Sequence, residues 1–302
     1  MSSKFTISFP QLNSTPMNEN VDLFVYSHVP FKCAVSDPVY KVLTNSHAPD
    51  SEFQTKLPIY RDWEGEGSLS DKNLMYNEYS GFNWILKNWQ LKEYIGMMHY
   101  RRFYTFMDEV PDIDSIFSFG FKIILNERFP LNYAGSPRSN REFYQIWHNV
   151  DDFDLMEKIV KENYPQYADG WDKMAGWQYI YPSSLFIMQK DMFKEYITFA
   201  LDVMDKFNKA RGCNTPEEWI AYVEQHKDQY IRPQHKYYTV QMQSRATGYL
   251  VERCLCAFLL SGDDPIVNHS AEYPWTVLRK ERWLPDPPQA SAITKNMTTI
   301  KK

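Results

Sequence analysis

Short apolar runs, set apart by long stretches of helical period, constrain this chain more than any other feature. Residues 21–28 (VDLFVYSH), 93–100 (EYIGMMHY), 121–125 (FKIIL) and 184–189 (SLFIMQ) have the length and apolar content of buried strands. Between them, apolar residues recur every three to four positions. Leu74, Met75, Phe82, Ile85, Leu86 and Trp89 form one such stripe, with Ser70 before it as a candidate N-cap. Phe193, Ile197, Leu201, Met204 and Phe207 form another. Further helices are expected from near Arg141, after the acidic cluster Asp151, Asp152 and Asp154 up to Pro165, and over 240–260. Strands alternating with helices imply an α/β fold, a single domain with a mostly parallel central sheet flanked by helices. Ligands of such sheets bind at the carboxyl ends of strands. That singles out His28, the His99–Arg102 group and Asn126.

Composition narrows the reading. The 302 residues suffice for one large domain or two small ones. With 43% hydrophobic and 24% charged residues the chain can bury a full core, which excludes a disordered body. Only 11 glycines and no sustained repeat exclude collagen-like, coiled-coil and low-complexity architectures. A net charge of -5 argues against a broad nucleic-acid surface. The aromatic share of 16% fits either sugar-stacking surfaces or an aromatic core. Residues 1–20 are polar without a secretory leader, and no run approaches the ~18 apolar residues that cross a bilayer. A cytoplasmic protein is expected, working at the inner face of a membrane if it meets one. Cys33, Cys213, Cys254 and Cys256 lack metal-ligand spacing and read as reduced thiols. The expected organisation is an N-terminal segment (1–20), a main domain (21–264) and a Pro-rich C-terminal extension (265–302) that ends in a loose tail from 290.

The candidate chemistry gathers at a few places. A strand that runs into His99, Tyr100, Arg101 and Arg102 brings two guanidinium groups to the ligand-binding edge. On a continuing strand His99 and Arg101 share one face, Tyr100 and Arg102 the other. The planar, permanently charged arginine fork suits diphosphate oxygens. An arginine pair bridged to helix carboxylates is the structural alternative. Ser70, Asp71, Lys72 and Asn73 open the first helix, where free backbone N–H groups either bind an anion or are simply capped. His148 and Asp152, four residues apart, pair as a general base if their helix is continuous. Otherwise the acidic cluster complements the next helix dipole. Arg245, Glu252 and Arg253 interrupt an apolar helix, with Arg245 and Glu252 on roughly one face. They need ion-pair partners or a substrate. Dinucleotide, P-loop, zincin and serine-elbow motifs are absent. The strings Asp112/Asp114 and Asp152/Asp154 do not follow apolar strands, so no cofactor is assigned and a divalent metal (Mg or Mn) has no well-placed motif.

Several of these strings occur in a fixed order: Ser70-Asp71-Lys72-Asn73, then YIGMMHYRRF over 94–103, then Arg245-x-x-Gly248-Tyr249-x-x-Glu252-Arg253. A middle block carries His148, Asp152, Tyr164-Pro165-x-Tyr167 and Phe186-Ile187-Met188. In this combination the chain resembles the HYRR-containing family of bacterial polysaccharide-biosynthesis glycosyltransferases, long labelled a domain of unknown function. The resemblance covers residues 21–260. It implies a GT-A-like, Rossmann-like fold and a glycosyltransferase domain over 21–264. It implies a nucleoside-diphosphate sugar donor, UDP-linked, and transfer of galactofuranose or a related hexose to a glycan or other hydroxyl acceptor with inversion. In that family the HYRR segment lies where other GT-A enzymes carry a metal-binding Asp-x-Asp. His99, Arg101, Arg102, Lys72 and Asn73 are then the donor-diphosphate residues, and Ser70, Asp71, Arg245 and Ser184 the substrate contacts. Asp152 is the first candidate base, then Glu252, with His148 beside them. Ser184-Leu185-Phe186, Asn77-Glu78-Tyr79-Ser80 and Asn83-Trp84 depart from the family's usual strings, which points to a changed sugar or acceptor. Two other readings stay open. One is sugar transfer onto modified bases of phage DNA, marked by salt-dependent duplex affinity. The other is a non-catalytic nucleotide-sugar or carbohydrate-binding protein on a transferase-like fold.

Overall fold

The structure, a computed structural model, describes residues 18–231 and 239–278. Its strands are β1 (Val21–Ser27), β2 (Tyr40–Thr44), β3 (Ile59–Arg61), β4 (Tyr94–His99), β5 (Arg102–Tyr104), β6 (Ile123–Asn126), β7 (Phe129–Pro130), β8 (Asn132–Tyr133), β9 (Ser136–Pro137), β10 (Tyr179–Ile180), β11 (Phe186–Gln189), β12 (Ser270–Tyr273) and β13 (Trp275–Val277). The helices are α1 (Asn73–Tyr76), α2 (Tyr79–Asn88), α3 (Ile113–Ser118), α4 (Asn140–Trp147), α5 (Val150–Asn163), α6 (Ala168–Gly176), α7 (Lys190–Arg211), α8 (Pro216–Gln225), α9 (Lys227–Tyr230), α10 (Val240–Gln243) and α11 (Ala246–Leu260).

The central sheet runs β12-β6-β11-β4-β1-β2-β3. The pairs β1–β2, β1–β4, β2–β3 and β6–β12 are parallel. β11 lies antiparallel between β4 and β6. This is the expected α/β architecture with a mostly parallel sheet. Every residue of β1 is buried, because both faces of the sheet are covered. Its alternate side chains feed two cores. Phe24 and Tyr26 join Met97, Phe186 and the helices α2, α5, α6, α7 and α11 on one face. Leu23 and Val25 join Val42, Met98, Ile124, Phe31 and α3 on the other. Aromatic residues fill much of this volume: Trp171, Trp219, Tyr40, Tyr76 and Tyr196 are fully buried. The aromatic share thus serves packing to a large extent.

Three expectations change. The stripe from Ser70 to Trp89 is not one helix. A 3-10 turn (Ser70–Lys72) leads into the four-residue α1, and the left-handed backbone of Asn77 (φ 48°) ends α1 before α2 begins. The 240–260 helix is likewise broken at Ser244 and Arg245, between α10 and α11. The extension after residue 264 is not all peripheral. β12 adds to β6 and β13 to β5, so the domain continues through residue 278. Ala271, Tyr273, Trp275 and Leu278 supply the apolar surface that docks it. The N-terminal segment up to residue 17 and the tail from 279 lie outside the described residues. Among those described, no helix is long and apolar enough to cross a membrane, and all four cysteines are free thiols.

Candidate active site

The turn after β4 builds the floor of the site. Rather than running on through Arg102, the strand stops at His99. Tyr100 and Arg101 reverse the chain, and Arg102 of β5 stands directly opposite His99. The continuous-strand expectation therefore fails: Arg102, not Arg101, is the ladder neighbour of His99. The hairpin is strapped from outside, where Val277 of β13 pairs with Arg102 and the Leu278 N–H donates to the Arg101 carbonyl (2.8 Å). Tyr100 is buried beneath, its ring centroid 5.6 Å from Phe31 and 5.4 Å from His28. The Arg101 guanidinium lies 5.0 Å over that ring, a cation–π seat.

Positive charge converges here. Burial, followed by Arg102, Arg101, His28 and Arg245, holds the His99 imidazole well below its usual pKa. It is neutral at pH 7. Burial and Arg101 also push the Arg102 guanidinium down, while Glu252 and Glu78 pull it back up. The Arg102 side chain makes no hydrogen bond or salt bridge with a described residue. His99, Arg101, Arg102, Arg245 and Glu252 are all partly open to solvent and act on one another electrostatically, so their side chains gather in one place. Gathered cations of this kind form a place for an anion.

α11 and the Arg245 that caps its start supply a second wall, with Gly248 and Glu252 on the helix face that follows Arg245. The Arg245 Nε donates to Asn77 Oδ1 (3.1 Å). Gly248 lets α11 approach the same amide, since a Cβ there would lie 1.9 Å from Asn77 Nδ2. Glu252 Oε1 accepts the Ser183 N–H (3.2 Å). Burial first, then Glu78, push the Glu252 carboxyl up, against the pull of Arg253 and Arg102. Asn77, Ser183 (φ 68°) and Ser184 (φ 47°) are left-handed without being glycine. Such strain gathers where surrounding structure enforces it, at functional sites above all.

The remaining candidates divide. Asn73 lies beside the site, its Nδ2 donating to the Tyr26 hydroxyl (2.8 Å) and the Asn77 carbonyl (2.8 Å). The Ser70–Asn73 segment does not form the expected helix N-terminus, because the turn is 3-10 and α1 has four residues. Ser70 is buried without a capping bond, Asp71 is exposed, and Lys72 ion-pairs with no described residue. Ser184 is fully buried, its hydroxyl 3.1 Å from that of Tyr79. Asn126, also fully buried, donates to the Glu127 carbonyl (3.2 Å).

His148 and Asp152 are not brought together. His148 ends α4 in extended backbone, and Asn149 caps α5, so the continuous helix their pairing required is absent. The acidic cluster also falls inside α5, with Asp151 and Asp152 in its first turn rather than before it. His148 Nδ1 meets Gln243 Oε1 (3.1 Å), and its ring stacks on Tyr249 at 4.4 Å. Asp152 is fully buried, paired with Arg211 (2.7 Å) and accepting from the Tyr230 hydroxyl (2.9 Å). Burial pushes its carboxyl up to about 6 despite Arg211. Arg253 is buried against the Tyr144 ring (5.0 Å). The Asp-x-Asp strings are occupied: Asp112 caps α3 through Ser115, and Asp154 forks with Arg141 (2.8 Å). Among the described residues, no three His, Cys, Asp or Glu side chains are grouped to hold a metal ion.

Sequence reasoning marked Asn77 and Glu78 only as a departure from the family's strings and gave them no place in the site, because they sat inside an apparent helical stripe. Asp62 was missed too, since nothing marks it in sequence beyond its place after a short strand.

The mostly parallel central sheet flanked by helices defines an α/β, Rossmann-like architecture, whose ligands bind at the carboxyl edge of the sheet. The chain belongs to the family described as domain of unknown function DUF4422, which matches residues 22–263. It is similar in fold to the apo structure of WbbM, a bifunctional glycosyltransferase, with a TM-score of 0.60 and 20% identity. That likeness covers 85% of this chain and 45% of the other, so the chain spans less than half of that protein. No curated protein matches.

Proposed function

We propose that the protein is a glycosyltransferase that moves a sugar from a nucleoside-diphosphate donor, UDP-linked, to a hydroxyl acceptor in glycan synthesis. The observation that carries this reading is the convergence of Arg101, Arg102, Arg245 and His99 at the carboxyl edge of the sheet. The fold shared with a glycosyltransferase supports it. In the reaction the acceptor oxygen bonds to the anomeric carbon from the face opposite the diphosphate. The bond from that carbon to the diphosphate oxygen breaks, and its electron pair leaves with the diphosphate. Single displacement inverts the anomeric centre. The guanidinium groups stabilise the charge that grows on the leaving group, each such donor being worth roughly 3 kcal/mol. Glu252 is the sequence-named carboxylate that lies at this cleft, and it takes the acceptor's proton. Its raised pKa brings it nearer the range suited to a general base.

A divalent metal does not fit the donor set: arginines crowd the place and no three-ligand group stands among the described residues. Nucleotide release from a panel of nucleotide sugars, with and without chelator, tests the reading. Release of UDP from one donor, unchanged by chelator, is expected. A panel in which no donor is turned over with any acceptor, while one binds in a thermal-shift titration, would favour a binding protein instead.

A further inference from the structure

Asp62 is a fully buried carboxylate at the end of β3, at the edge of the sheet that carries the cleft. No described side chain forms an ion pair with it. Burying a carboxyl group in this way is costly, and its hydrogen bonds show what it does. Asp62 Oδ2 accepts from the Tyr26 hydroxyl (3.0 Å) and from Ser80 Oγ (2.7 Å). The Tyr26 oxygen in turn accepts from Asn73 Nδ2 (2.8 Å). The second N–H of that amide goes to the Asn77 carbonyl (2.8 Å), which Ser80 Oγ also approaches at 3.0 Å. Asn77 Oδ1 is the acceptor of Arg245. Four side chains, Tyr26, Ser80, Asn73 and Asn77, thus connect the buried Asp62 to a guanidinium on the far wall.

We propose that Asp62, Tyr26, Ser80 and Asn73 are positioning residues: a buried hydrogen-bonded strut that pins Asn77 in its left-handed conformation and so aims Arg245 into the cleft. Asn77 is the strained link. Its φ of 48° and ψ of -134° cost a residue with a Cβ on the order of 1 kcal/mol or more. Bonds to its carbonyl oxygen hold it there, and Gly248 leaves room for its amide. Asp62 fits the role because its Oδ2 takes the Tyr26 O–H, which leaves the Tyr26 oxygen to receive Asn73. With the strut cut, Asn77 relaxes and Arg245 loses its orientation.

This inference rests on the donor-binding reading for Arg245, and its test separates the two. Tyr26→Phe removes one oxygen from the strut. It is compared with Arg245→Ala and with the double variant by UDP titration, with folding checked by circular dichroism. Tyr26→Phe is expected to weaken UDP binding about fivefold to tenfold in the wild-type background, the effect of one lost hydrogen bond. In the Arg245→Ala background it should change UDP affinity less than twofold, because the strut has nothing left to aim. Equal weakening in both backgrounds, or none in either, overturns the inference, since a merely structural role would act in both. The Arg245 Nε–H NMR signal gives a readout that needs no ligand. It should be ordered in the wild type and mobile in Tyr26→Phe, and a signal that stays ordered overturns the strut. A wild type that binds no UDP would instead overturn the donor reading, and the NMR comparison alone would decide the strut.

Discussion

Arg102→Ala is the most informative perturbation of the cleft. The side chain makes no hydrogen bond or salt bridge with a described residue and is partly open to solvent. The pairing of β5 with β4 and β13 uses only its backbone. Truncation should therefore leave the fold intact, since it breaks no described side-chain bond and relieves repulsion with Arg101. Its electrostatic part is larger. Arg102 stands opposite His99, beside Arg101, and faces Glu252 and Glu78. Losing it removes a charged donor from the leaving diphosphate, worth roughly 3 kcal/mol. Relief of its repulsion with Arg101 belongs mostly to the free protein and makes the net loss smaller. At about 1.4 kcal/mol per tenfold, kcat/KM should fall about 100-fold. The assay is nucleotide release with a fixed acceptor, run beside thermal unfolding. Arg102→Lys keeps the charge but not the fork, and an intermediate loss of about tenfold is expected. A folded Arg102→Ala enzyme with kcat/KM within threefold of wild type would refute the argument. Arg102 would then be a structural guanidinium and the diphosphate would sit elsewhere.

Four further outcomes follow from the same structure. His99 is neutral in the free protein because burial and three arginines oppose its charge. An arriving diphosphate reverses that field and raises its pKa, so nucleotide-sugar binding should take up protons and strengthen as pH falls from 7 toward 6; calorimetry in buffers of differing ionisation heat would show no uptake if His99 is remote from the ligand. Asp152, pushed up to about 6 when folded against 3.8 otherwise, holds more protons folded than unfolded between those values. Its contribution to stability is thus full below pH 4 and lost as pH rises through 6, about 3 kcal/mol in all; the stability difference between wild type and Asp152→Asn, followed by denaturant titration, should shrink over that window. Gly170→Ala would place a Cβ 2.2 Å from the Ala257 carbonyl oxygen, forcing α6 off α11, so a loss of about 2 kcal/mol or more is expected in the same titration. A chain ended after residue 264 loses β12, β13 and the Leu278–Arg101 bond, and should unfold at lower temperature and bind UDP less tightly than the full chain.

What sequence could reveal here was set by how local each signal is. The β1 and β4 runs are apolar on both faces, because helices or loops cover the sheet on either side, and such runs stand out in any window. The α7 stripe is equally plain. The arginine pair was legible as well, because a strand ending in two guanidinium groups has few structural explanations. Features set by backbone geometry were not legible. The HYRR segment looks like strand until β13, more than 170 residues later, folds it back. Asn77 looks like mid-helix until its positive φ splits the stripe. His148 and Asp152 have the spacing of a helix pair, but Asn149 starts a new helix between them.

Those misreadings share a cause that bears on function. Each break in a regular element gives up local hydrogen bonds, and a chain keeps such a break only where tertiary contacts hold it. Asn77 is held by Asn73, Ser80 and Arg245, the Tyr100–Arg101 turn by β13 and Leu278, and the Ser183–Ser184 pair by Glu252 and Tyr79. In each case the holding or held group includes a residue of the cationic cleft or its wall. The His148–Asn149 break, by contrast, is held among the described residues by Gln243 and the α5 cap. An irregular element thus marks the site only when the group that enforces it also faces the cleft. By that criterion Asn77 belongs with Arg101, Arg102 and Arg245, although no periodicity in the sequence could have placed it there.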